Sequence, residues 1–179
     1  VINQDELNMD SHKLIIGYKA SEDMGNGMTG FMHLELENDN ANERATGLDW
    51  NKDLAYVGVK GDFGSVSLGV QNDAAGFACS GTDIFTINGG DACGVGAVNN
   101  GLDNTLLYVG AFGDVTVAVA ATLDGSDDQQ GDNALIGVKY DGGVFTVGGQ
   151  ITKTDKEIGG DNSIMVLGGT YTINDIVIG

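Results

Sequence analysis

The chain has 179 residues, with 30 Gly and no Pro; 41% are hydrophobic and 19% charged, and 26 acidic against 8 basic side chains give a formal charge of -18. That balance argues against nucleic acid as a partner, because neutralising phosphates takes clustered Lys and Arg and the sole arginine is Arg44; an anionic membrane surface is disfavoured for the same reason. No run of 18 apolar residues is present, so a membrane-spanning form would cross as strands, and the start Val1-Ile2-Asn3-Gln4-Asp5 does not read as a signal peptide.

Taken in chain order, apolar and polar residues alternate with a period of two in segments of about ten residues, which marks strands rather than helices. Strands are expected from about residues 12, 29, 54, 65, 106, 115, 134, 145 and 164, with part of another over 176–179. The first places Leu14, Ile16 and Tyr18 on one face. In the second, Met28, Gly30, Met32, Leu34 and Leu36 oppose Thr29, Phe31, His33, Glu35 and Glu37. Val66, Leu68 and Val70 share a face of the fourth, and Val115, Val117, Val119, Ala121 and Leu123 oppose Thr116, Ala118, Ala120 and Thr122 in the sixth. Near 145, Phe145, Val147, Gly149 and Ile151 oppose Thr146, Gly148, Gln150 and Thr152.

Alternation alone suits both a sandwich with a dry core and a membrane barrel. The connections separate them. Short turns rich in Gly or Asp are expected at 23–27, 61–64, 112–114, 141–143 and 174–175. They alternate with long polar links over 38–50, 73–104, 124–133 and 153–162. This puts all the turns at one end of a sheet and all the links at the other, the plan of an outer-membrane barrel. Tyr18, Tyr56, Phe63, Tyr108, Phe112, Tyr140, Phe145 and Tyr171 lie within several residues of a short turn, as an interfacial aromatic girdle requires. Cys79 and Cys93 share one Gly-rich stretch without the spacing of a zinc site; one disulfide in an oxidising compartment is favoured, with free thiols the other reading.

Three stretches carry a family resemblance. The segment from Ile16 to Gly27 resembles the strand and turn that general porins write as LGFKGSEDLGNG, and Ala55 to Gly69 resembles their AYVGLSGDFGTVTLG hairpin. Leu102 to Tyr108 is similar to the family's VDNSIRY strand after the long third loop. In order and spacing these match trimeric bacterial porins over roughly residues 13 to 115. The resemblance implies an all-β, antiparallel transmembrane barrel of 16 strands, a homotrimer, and a third loop (73–104 here) folded into the lumen. Nine or ten strands cannot close such a barrel, and open edges are not tolerated in lipid, so the chain is expected to be part of a longer one, with a complete ten-stranded barrel as the alternative.

The segment from Thr82 to Asp91 resembles the porin constriction motif TDxxPEFGGD, matched at Asp83, Gly89, Gly90 and Asp91, while Thr86 and Ile87 replace its Pro and Glu. A Cys79–Cys93 bridge would close a small loop around it, with a chain-closure benefit of about 3 kcal/mol. Ile15, Asp53 and Leu107 stand where the family writes lumen arginines. The resulting candidate pore lining is Asp83, Asp91, Asp73, Asp53, Glu35, Glu37, Lys13 and Lys19, with Lys139 a further base. Its excess of carboxylates predicts a preference for cations.

Other chemistry is weakly signalled. The acidic clusters at Glu37-Asn38-Asp39-Asn40 and Asp124-Gly125-Ser126-Asp127-Asp128 offer oxygen ligands for calcium without the spacing of an EF-hand, so no cofactor or metal is expected. His12 and His33 are the only histidines; His33 is expected to point into the barrel beside Glu35 as a lumen polar contact rather than a base, so no enzyme is expected. The reading is an outer-membrane diffusion channel for small hydrophilic solutes and cations, in contact with outer-membrane lipid and lipopolysaccharide. The competing class is a surface structural or adhesive β-protein whose acidic loops bind partners.

Overall fold

The computed structural model describes residues 14–38, 50–71, 102–122, 132–155, 162–174 and 176–178. They form one antiparallel sheet whose strand order follows the chain: β1 Leu14–Gly25, β2 Met28–Asn38, β3 Asn51–Gly61, β4 Gly64–Gln71, β5 Leu102–Phe112, β6 Val115–Thr122, β7 Asp132–Asp141, β8 Phe145–Asp155, β9 Asn162–Ile173 and β10 Ile176–Ile178. Each strand expected from alternation is present. Several start earlier than the apolar alternation announces them, because polar residues such as Asp103-Asn104 and Asp132-Asn133 continue the backbone ladder without adding to the apolar pattern; Gln71 pairs with Leu102 and Asp132 with Asp155. Residues 39–49, 72–101, 123–131 and 156–161, which make up most of the long polar links, lie outside the described residues.

Each strand pairs with its neighbours in sequence, so the strands from β2 to β8 satisfy their backbone N–H and C=O groups on both edges within the sheet, the condition for crossing a bilayer. The order is linear from β1 to β10 with no return pairing between β1 and β10 among the described residues. The short turns are fastened locally. Asp23 Oδ1 accepts from the Gly25 N–H at 2.8 Å, and Asp141 Oδ1 accepts from the Gly143 N–H at 3.0 Å. Neighbouring turns are also joined, since the Asp141 N–H donates to the Asp114 carbonyl at 2.9 Å.

Register decides which residues share a face. One row runs Val66, Tyr108, Val119, Ile136, Ile151, Met165 across six strands, and every member is apolar or aromatic. This face is open: Leu167 is 73% exposed, Met165 66%, Val57 59% and Ile136 52%. A soluble sandwich would bury such a surface, and an exposed apolar area of this extent marks contact with a non-aqueous partner. Phe63, Phe112, Tyr140, Phe145 and Tyr171 are exposed near the short turns, with the Tyr140 and Phe145 rings 5.6 Å apart. Tyr56 departs from the expected girdle. It pairs with His33 and Gly69, which puts it on the opposite face.

The first expected outcome concerns this outer row. Ile136→Arg should destabilise the lipid-inserted barrel by about 2–4 kcal/mol, the cost of a cation at the bilayer midplane. Urea unfolding of the whole protein in lipid vesicles would show it as a lowered midpoint, and an unchanged midpoint would place Ile136 away from lipid.

Candidate functional site

The opposite face follows from the same register. One row reads Ser21, Phe31, Gly58, Ser67, Leu107, Ala120, Leu135, Thr152, Ile164 across β1 to β9. Its polarity changes along the sheet. Over β5–β7 small and branched residues pack into an apolar patch of Ala118, Ala120 and Leu135, with Leu107 and Val109 partly buried against it. Leu107 therefore stands on the inner face as expected, as does Ile15, which pairs with Glu37.

Charged chemistry concentrates over β1–β3. Lys19 pairs with His33 across β1 and β2, and His33 pairs with Tyr56 across β2 and β3. His33 Nε2 meets Glu35 Oε1 at 2.5 Å, and His33 Nδ1 meets the Tyr56 hydroxyl at 2.9 Å. With Nε2–H donating to the carboxylate, Nδ1 is left to accept from the Tyr56 O–H, so one neutral tautomer satisfies both contacts. The Lys19 ammonium lies 4.0 Å from the same Glu35 oxygen, with its side chain 72% exposed. The His33 and Tyr56 rings stand edge to face at 5.2 Å, and Phe31 meets Tyr56 in the same manner at 6.4 Å.

Phe31 has room to lie against the wall because its neighbour in register is Gly58: a Cβ there would fall 2.4 Å from the far end of the Phe31 ring. Gly17 serves Glu35 similarly, since a Cβ there would meet Glu35 Cγ at 3.2 Å. Two glycines thus shape the inner wall around one aromatic and one carboxylate.

Of the sequence-predicted lining, Lys19, Glu35 and Glu37 share this face, with Glu37 buried. Asp53 is placed less simply. Glu35 pairs with Leu54 and Leu36 with Lys52, so Asp53 is the extra residue of a bulge, where strict alternation no longer assigns a face. Lys13, Asp73, Asp83, Asp91, Cys79 and Cys93 lie outside the described residues. Lys139 stands on the inner face, paired with Thr116 and Gly148. Sequence reasoning missed Lys60 and Tyr56 as members of this face; Lys60 pairs with Thr29 and Ser65. Phe31 was legible from the alternation of β2, but the side taken by β3 needed the register.

Towards the long links the inner wall is polar and buried. Ser67 Oγ donates to Gln71 Oε1 at 2.6 Å, Gln71 Nε2 donates to the Thr105 carbonyl at 2.7 Å, and the Thr105 and Thr122 hydroxyls are 2.8 Å apart. This chain ties β4, β5 and β6 together by side chains as well as by the ladder. Gln150 and Thr152, also buried, find no hydrogen-bond partner for their side chains among the described residues.

An antiparallel sheet with an open apolar exterior and an inner face carrying paired charges defines a class, the wall of a transmembrane β-barrel. Comparison with known proteins agrees. A family model described as Gram-negative porin matches residues 3–179. Outer membrane protein U of Vibrio vulnificus (strain CMCP6) is 26% identical over 176 residues, covering 93% of this chain and 52% of that protein. The monosaccharide porin of Halomonas sp. is 30% identical over 146 residues, covering 74% of this chain and 40% of that protein. Among solved structures, Salmonella typhi OmpF in complex with daunomycin superimposes with a TM-score of 0.73 at 17% identity, over 92% of this chain and 56% of that one. A mutant Rh. blastica porin gives 0.67 at 19% identity, over 91% and 61%. The chain belongs to the Gram-negative porin family, and with it to the integral proteins of the outer membrane. It spans about half, or less, of the length of these curated relatives.

Proposed function

We propose that this chain forms part of the wall of a water-filled pore through which small hydrophilic solutes and ions diffuse passively, with a preference for cations. The observation that carries the reading is the division of the sheet into a continuous exposed apolar face and an inner face bearing Lys19, Glu35, Glu37, Lys60 and Lys139. Family membership supports a channel rather than an enzyme, and a relative of 30% identity bears the name monosaccharide porin.

The ion preference follows from where the charges stand along the strands. Lys60 and Lys139 sit next to the short turns, whereas Glu35 and Glu37 lie towards the end from which the acidic links leave. Asp73, Asp83 and Asp91 belong to one of those links, which we place at the constriction together with Asp53 at the bulge. A narrowing lined by carboxylates concentrates cations. Homotrimeric assembly, a Cys79–Cys93 bridge bracing the constriction, and contact with lipopolysaccharide complete the proposal.

The test is planar-bilayer conductance of the whole protein in a salt gradient. Roughly ohmic openings in steps of three, with a cation-selective reversal potential, are expected. Anion selectivity would overturn the electrostatic assignment and leave the pore; absence of openings from folded, detergent-extracted protein would favour a structural or adhesive role.

A further inference from the structure

We infer that the inner face of β1–β4 holds a low-affinity subsite for a hexose-sized ring carrying one anionic group, such as a sugar acid or sugar phosphate, which retards those solutes as they pass. The inference rests on the channel reading above and adds the class of solute that would pause there. A concavity of about 380 Å³ lies on this wall, and its lining includes Lys19, Ser21, Phe31, Tyr56, Lys60 and Ser65. That size falls in the range of small-molecule sites, roughly 300–1,000 Å³.

The chemistry of the lining selects the ligand. Two ammonium groups border the concavity and no carboxylate lines it: Glu35 sits one row further along β2, bonded to His33 and 4.0 Å from the Lys19 ammonium, so Lys19 shares its charge with Glu35 and Lys60 is the main anchor for an anion. Lys19 and Lys60 come from different strands, two rows apart in register, with the Phe31 row between them. The far end of the Phe31 ring lies over Gly58, so the ring rests against the wall between the β3 neighbours Tyr56 and Lys60. The Ser21 hydroxyl, the Tyr56 phenol oxygen, whose O–H is given to His33, and the Ser65 hydroxyl, 3.5 Å from the Val109 carbonyl, line the same concavity as hydrogen-bonding groups. An apolar ring face ringed by hydroxyl partners suits a sugar, which is apolar on its C–H face and polar at its rim. The flanking ammonium groups add a charge-assisted contact to a carboxylate or phosphate, stronger than a neutral hydrogen bond. Metal cations alone find no ligand set here, since among the described residues no group of three or more metal-ligating side chains occurs.

The site is shallow and wet, so the expected affinity is weak, with half-maximal effect on the order of 10 mM. The experiment is single-channel conductance of the whole protein in planar bilayers, with glucuronate, glucose 6-phosphate, glucose, acetate or inorganic phosphate added, each block expressed against the open current of the same variant. Glucuronate is expected to reduce the current saturably, glucose to act about ten-fold more weakly, and acetate and inorganic phosphate to produce no saturable block. Equal block by glucuronate and glucose 6-phosphate assigns any single anionic group; block by one of them assigns the carboxylate or the phosphate. Lys60→Gln should weaken the block by glucuronate about ten-fold and leave that by glucose in place. Phe31→Leu, which keeps the bulk over Gly58 and removes the aromatic face, should weaken both sugars by about five-fold. Ohmic openings with no saturable block, equal effects of glucose and acetate, or variants that block like the parent would each overturn the subsite while leaving the pore. Absence of any openings would overturn the subsite together with the channel on which it rests.

Discussion

Replacing Glu35 by lysine is expected to cut the cation preference proposed for the pore several-fold, read as a shift of the reversal potential towards the anion side. The change adds two positive charges per barrel at a point where the charges are already close: Glu35 accepts from His33 and has the Lys19 ammonium at 4.0 Å. With its ammonium exposed, an ion pair of this kind stabilises a protein by about 0–1 kcal/mol, so little of the effect should appear as lost stability through Lys19. His33 is different, because it is buried and loses its acceptor; leaving one buried donor unsatisfied costs about 1–3 kcal/mol. Glu35→Gln separates the two effects. Glutamine keeps a side-chain acceptor for the imidazole and removes one charge, so it should retain most of the stability while shifting the reversal potential about half as far. Selectivity unchanged in both variants would show that ions pass Glu35 at a distance longer than the screening length, about 8–10 Å at physiological ionic strength.

Gly64→Ala is expected to destabilise the barrel by about 3 kcal/mol or more, and the reason lies in the backbone. Gly64 opens β4 at a φ of 100°, in the region that L side chains seldom adopt. Positions of this kind cost about 1–3 kcal/mol when a side chain is forced into them. Steric contact adds more, because a Cβ would fall 2.3 Å from the Val109 carbonyl oxygen and 2.8 Å from Gly110 Cα, both backbone atoms of β5. The strand cannot yield easily: the Tyr108 hydroxyl donates to the Phe63 carbonyl at 2.9 Å, holding the β3–β4 turn against β5. Gly113→Ala is the control. Its φ of 62° carries the strain alone, since nothing lies within 4 Å of the added carbon, so about 1–2 kcal/mol is expected. Urea unfolding midpoints in lipid vesicles would compare the two; equal losses would mean that β5 moves aside and that the contact is relieved cheaply.

The strands, their order and the two faces of most of them were legible in the amino-acid sequence, for a physical reason. A wall between lipid and water imposes a period of two on side-chain polarity, and Met28 to Leu36, Val115 to Ala121 and Phe145 to Ile151 keep it, apart from Phe31, Ala118 and Ala120 on the inner face. The turns were legible as well, because Gly25-Asn26-Gly27 and Asn174 supply the positive φ angles that a hairpin requires. Charge on the inner face was readable at Lys19, Glu35 and Glu37 by the same alternation. Tertiary structure alone decided three matters, and each depends on the register between adjacent strands. Bulging at Asp53 removes it from strict alternation, since an extra residue shifts the face of all that precede it. Tyr56 faces inward beside His33, where proximity to a turn had suggested the aromatic girdle. Phe31 and Lys60 join Lys19 around one concavity because Thr29 pairs with Lys60 and Phe31 with Gly58, and no local pattern encodes which residue of β3 will stand beside which residue of β2. A period of two fixes a residue's side of the wall; only the hydrogen-bond register fixes its neighbours, and the chemistry of a site is made of neighbours.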